Sequence, residues 1–158
     1  MAADPNSPQE EAKLVAALQK WADGKSTLRD VRGYSDEELY AIAKTAYFFF
    51  YQGRVNEART LFQGLYAVNP TDAYFAKALG VVELAAGNQQ GALAAYDVAI
   101  KLAPNDAQAY VGRAEVKLAM GQKSQAIEDL RRAASLGSSP DDPVARKAEA
   151  MISALSRR

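Results

Sequence analysis

The sequence predicts an all-α fold: three tandem helix-turn-helix repeats in a right-handed solenoid, with an extra N-terminal helix and a C-terminal capping helix. Three observations carry that expectation. Gly53, Gly87 and Gly121 recur at an interval of 34 residues. Small residues keep step with them, Ala46, Gly80 and Ala114 before the glycines and Ala58, Ala92 and Ala126 after them. A large apolar residue then follows at Phe62, Tyr96 and Leu130. Pro70 and Pro104 close the first two periods, and Ser138 stands at the equivalent place in the third. A fixed period of this length, with small residues at fixed offsets, marks a helical repeat array.

Each period reads as two antiparallel helices, A and B. The small residues let A and B cross closely. The glycine ends helix A in a left-handed conformation that costs no Cβ strain. The large residue fills the space under the next helix, and the proline stops helix B. The pattern matches the tetratricopeptide repeat, with copies at 39–72, 73–106 and 107–138. One such repeat cannot bury its own apolar face, so the array needs neighbours and caps.

Composition narrows the function. The chain has 158 residues, read as one domain over 7–158 after a disordered tail at 1–6. Its 19 basic and 19 acidic residues cancel, so no basic field is expected to hold nucleic acid or anionic lipid. The longest apolar run, Ala46 to Tyr51, is too short for membrane insertion. The first residues do not read as a secretory signal. With no histidine and no cysteine, the commonest metal ligands, general base and thiol nucleophile are missing. No catalytic residues, metal site or cofactor are expected, and the reading is a binding protein rather than an enzyme.

Taken in order, Ser7, Pro8 and Glu10 read as a capping box that opens a helix over 7–24. Its apolar stripe is Leu14, Val15, Leu18, Trp21 and Ala22. That stripe either caps the first repeat or forms a dimer contact, in which case Leu14, Val15, Leu18 and Trp21 mediate it. A short connector follows, with one helical turn over Leu28 and Val31. Ser35 and Glu38 then form a second capping box, with Tyr34 placed to staple onto Leu39. The helix they start ends in Tyr47-Phe48-Phe49-Phe50-Tyr51, aromatics that go all round its circumference. Phe49 is expected to face helix B.

The inner, concave face of the A helices is expected to carry Tyr40, Tyr47, Phe50 and Tyr51 from the first repeat. The second contributes Tyr74, Lys77, Val81 and Leu84, and the third Val111 and Glu115. Arg113 and Lys117 replace apolar residues, so the third repeat is the weaker match. Asp142 and Pro143 open a capping helix over 142–157, with Val144, Ala148, Met151, Ile152 and Leu155 as its stripe.

A face of this kind typically holds a peptide. The Lys and Asn clamp that chaperone-linked repeats use for an acidic C-terminus is missing, since Ala43 and Tyr47 stand in its places. The groove is aromatic and aliphatic, suited to an extended peptide with spaced apolar or proline anchors. The segments Tyr34-Ser35-Asp36-Glu37-Glu38-Leu39-Tyr40, Tyr51-Gln52-Gly53-Arg54, Leu61-Phe62-Gln63-Gly64-Leu65 and Asp72 to Gly80 carry a closer likeness. In them the chain resembles the class II type III secretion chaperones, the LcrH/SycD-like group. The resemblance implies a bacterial cytoplasmic chaperone that clasps an extended segment of hydrophobic translocator proteins in the groove, keeping them soluble and apart before export. It also implies a homodimer through the N-terminal helices. Pro70 and Pro104 follow the general repeat consensus, which leaves open a repeat scaffold or adaptor in another bacterial assembly.

Overall fold

The computed structural model describes residues 7–22 and 25–157, and all of its described secondary structure is helical. The predicted tail at 1–6 lies outside the described residues. Helix α1 (Pro8–Ala22) packs on the short α2 (Leu28–Arg32). Three helix pairs follow: α3 (Asp36–Tyr51) with α4 (Val55–Val68), α5 (Ala73–Ala85) with α6 (Gln89–Leu102), and α7 (Ala107–Ala119) with α8 (Lys123–Ser135). The last helix, α9 (Pro143–Ser156), packs on α8 and α7. Each pair also packs on the next, through α4 with α5 and α6 with α7.

Side-chain caps set where the helices begin. Ser35 Oγ accepts from the Glu38 amide at 3.2 Å, and Glu38 returns the contact by accepting from the Ser35 amide at 2.9 Å. Asp72, Asn88, Asp106 and Asp142 cap α5, α6, α7 and α9 in the same sense, each accepting from a first-turn amide. The A helices end where the glycine period places them. Gly53, Gly87 and Gly121 have φ of 78°, 81° and 76°.

The core runs as three linked clusters rather than one ball. Leu39, Ala46, Phe62, Phe75 and Val82 fill the first. Ala76, Ala92, Tyr96, Ala109 and Val116 fill the second. Ala114, Leu130 and Ala133 fill the third, where Ala148 of α9 closes the stack. Phe75 and Ala76 are adjacent in α5 yet serve different clusters, so this helix is buried on two sides. Tyr96 holds the tightest junction. A Cβ added at Gly80 would stand 2.7 Å from its ring, and one added at Gly112 would come closer still.

In the third repeat, α8 supplies Arg113 and Lys117 with a buried partner, Asp129. Arg113 grips both Asp129 oxygens, at 2.9 and 2.7 Å, and also reaches Asp97 at 3.0 Å. Lys117 adds a contact to Asp129 at 2.8 Å. The second repeat buries Glu83 on Arg59, Gln63 and Asn88. Both carboxylates are thus paired and hydrogen-bonded, the condition under which a buried charge is tolerated.

Three substitutions test this packing. Gly87→Ala should lower the unfolding free energy by about 1–2 kcal/mol, the strain of a left-handed alanine. Gly64→Ala, inside α4 with open space at its Cβ position, should raise it by about 0.5–1 kcal/mol. Asp129→Ala should cost about 3–5 kcal/mol, because two cations lose their buried partner. Urea unfolding of the three variants measures all of these.

Candidate functional site

Helix α3 presents Tyr40, Tyr47 and Tyr51 along one side, at spacings that return to the same face. Tyr74 of α5 meets them across the A-helix junction. Its ring centroid lies 5.4 Å from that of Tyr40 and 6.3 Å from that of Tyr47, both edge-on. Tyr47 stacks on Tyr51 at 6.2 Å and sets its edge on buried Phe62 at 4.9 Å. Phe50 is half-buried on the first core cluster and touches Tyr51 at 5.8 Å. The result is a continuous patch with a rigid base and exposed rings, Tyr51 being 81% exposed. Phe49 lies on the other side of α3, under the Arg54 guanidinium at 4.2 Å.

The rest of the predicted face is divided. Lys77 is tied into an inter-repeat bridge, 2.8 Å from Asp106 and 3.1 Å from the Gln108 carbonyl. Tyr40 makes the matching bridge one repeat earlier, donating to Asp72 at 2.7 Å. Val81 and Leu84 are half-buried against the second core cluster. Val111 is buried, and Glu115 pairs with Lys147 of α9 at 2.9 Å. Val111 and Glu115 border a cavity at the α7–α9 end, away from the tyrosines. The face therefore has an aromatic half and a polar half.

Of the residues assigned to a dimer contact, Val15 is 61% exposed on α1. The side chains of Leu14, Leu18 and Trp21 lie outside what the structure describes. Sequence reasoning missed an apolar cleft of about 220 Å³ between α3 and α4, lined by Tyr34, Ile42, Leu61 and Val68 among others. Its signal was visible in Ile42, which lies off the buried stripe of α3 and is 37% exposed. Among the described residues, no cluster of three or more acidic, histidine or cysteine side chains is placed to hold a metal ion. No helix is long and apolar enough to cross a membrane, among the same residues.

Electrostatics keeps the aromatic half neutral. The hydrogen bond to Asp72, with burial and nearby carboxylates, pushes Tyr40 up to about 12. Burial, with the neighbouring phenols, pushes Tyr47 up to about 12, and burial also raises Tyr74. An unfolded phenol ionises near 10. The neutral phenols therefore add stability that is complete below about pH 10 and is lost as pH rises through about 12. Tyrosinate absorbance should show a late step near pH 12 that shrinks in Tyr40→Phe and in Tyr47→Phe. A step near pH 10 in its place would mean that these hydroxyls are not held.

The tetratricopeptide repeat family model matches residues 44–107. No curated protein matches the chain significantly. Solved structures do. The type III secretion translocator chaperone SycD of Yersinia enterocolitica superposes with a TM-score of 0.76 at 21% identity, over 82% of this chain and 98% of its own. A type III secretion complex from Aeromonas hydrophila gives 0.80 at 21% identity, over 90% and 96%. PcrH, solved in complex with the chaperone binding region of PopD, gives 0.74 at 24% identity, over 80% and 96%. The chain thus has the tetratricopeptide-repeat fold, in the helix arrangement of the type III secretion translocator chaperones.

Proposed function

We propose that the protein is a cytoplasmic chaperone of a type III secretion system, holding an extended segment of a hydrophobic translocator until export. The patch of Tyr40, Tyr47, Tyr51 and Tyr74 carries this reading. The rings are braced from beneath by Phe62 and Phe75, yet Tyr40, Tyr51 and Tyr74 stay exposed. Preorganised aromatic surface of this kind suits apolar anchors of an extended chain, because little side-chain entropy remains to be lost. PcrH, a chain of the same fold, is solved in complex with the chaperone binding region of PopD, which supports the reading. The remaining predicted residues, Phe50, Lys77, Val81, Leu84, Val111 and Glu115, would continue the groove toward α9. Each well-buried anchor contributes ~1.5–3 kcal/mol before association costs.

Homodimerisation through α1 belongs to the same proposal, supported by exposed Val15 on a helix that packs on α2. The second reading, a repeat scaffold for a different assembly, rests on Pro70 and Pro104 at their consensus places.

Co-expression with a hydrophobic translocator from the same genome tests the proposal. The translocator should become soluble and copurify only with this chain. Tyr51→Ala and Tyr74→Ala should each weaken the complex about tenfold, or ~1.4 kcal/mol, with the fold intact. A translocator that stays insoluble, or binds both variants as well as the parent chain, would reject the reading.

A further inference from the structure

The polar half of the face contains a cavity of about 240 Å³ whose lining includes Tyr96, Gln108, Val111, Gly112, Glu115 and Lys147. The Tyr96 side chain defines it. The residue is 3% exposed and its ring is fixed between the bare backbones of Gly80 and Gly112. Among the described residues its hydroxyl, which lines the cavity, has no hydrogen-bond partner. The hydroxyl opens onto the cavity and is free to donate to a guest.

The neighbours say which ligand. Glu115 Oε1 accepts from Lys147 at 2.9 Å, and its second oxygen is unclaimed among the described residues. Gln108 Oε1 accepts from Lys77 at 3.1 Å, which leaves its amide N–H groups for a guest. The charges already cancel in pairs, Glu115 with Lys147 and Lys77 with Asp106. A charged guest would arrive with no uncompensated partner. A neutral group that accepts from one side and donates to the other is complementary. A primary carboxamide does both: its carbonyl accepts from the Tyr96 hydroxyl, and its N–H donates to the free Glu115 oxygen.

We propose that this cavity is a polar specificity subsite that takes the Gln or Asn side chain of the extended segment whose apolar anchors lie on the tyrosines of α3 and α5. It rests on the peptide-binding reading above. Position along the face would then be set by one amide, while the aromatic half supplies tolerant apolar contact. A fixed register follows, because the amide fits at one end only.

The test uses leucine-anchored dodecapeptides in which each position in turn is Gln, Leu, Glu or Lys, titrated against the full chain. At one position Gln should bind about tenfold tighter than Leu, Glu or Lys. Tyr96→Phe, which keeps the ring and removes the hydroxyl, should abolish that preference and leave the all-leucine peptide unaffected. Tyr51→Ala should weaken every peptide alike. If Tyr51→Ala weakens all peptides but no position prefers Gln, or the preference survives in Tyr96→Phe, the subsite is refuted and the aromatic groove stands. If no peptide binds, the groove reading falls and the subsite falls with it.

Discussion

Tyr96 can sit between α5 and α7 only because positions 80 and 112 carry no side chain, and the stacking of the repeats depends on that contact. A helix pair whose apolar face has no neighbour is not stable alone. Here one ring from a B helix touches two successive A helices, so it fixes both their spacing and their relative setting. The alanines at 92, 99 and 109 around it are fully buried or nearly so, which keeps the helix axes close. Once the A helices stand side by side at this distance, whatever they display on their common face becomes a single surface.

Polar bridges then fix the register of that surface. Tyr40 to Asp72 and Lys77 to Asp106 join one repeat to the N-cap of the next, and Lys147 to Glu115 repeats the idea at the cap. Asp72 and Asp106 thus do two jobs, accepting from a first-turn amide with one oxygen and from the A helix of the preceding repeat with the other. The exposed ion pairs contribute little stability on their own. Their effect is geometric, since each ties a side chain of one A helix to the start or face of the next. Of the buried carboxylates, Asp129 ties α8 to α7 within one repeat, and Glu83 ties α5 to α4 of the repeat before.

Much of this was legible in the sequence. The glycine period gave the ends of the A helices, the Ser35 and Asp142 caps gave starts, and the spacing of Tyr40, Tyr47 and Tyr51 gave one face. What escaped was pairwise chemistry between distant residues. Arg113 and Lys117 look like misplaced charges until Asp129 is seen beside them, and nothing in a single chain couples those positions. The pairing of Lys77 with Asp106 was equally invisible, since the two lie a repeat apart in the sequence. The two-part character of the face was hidden for a similar reason. Val111 is apolar in the sequence and takes its place in the wall of a polar cavity only through Tyr96 and α9.

In the proposed reading, the tyrosines grip the client and the polar end of the face places it. The central claim is that the client lies on the tyrosine face of α3 and α5. Intermolecular nuclear Overhauser contacts between a bound, isotope-labelled translocator segment and the chain test it most directly. The account predicts contacts to the rings of Tyr47, Tyr51 and Tyr74. Contacts confined to Ile42, Leu61 and Val68, in the cleft between α3 and α4, would contradict it.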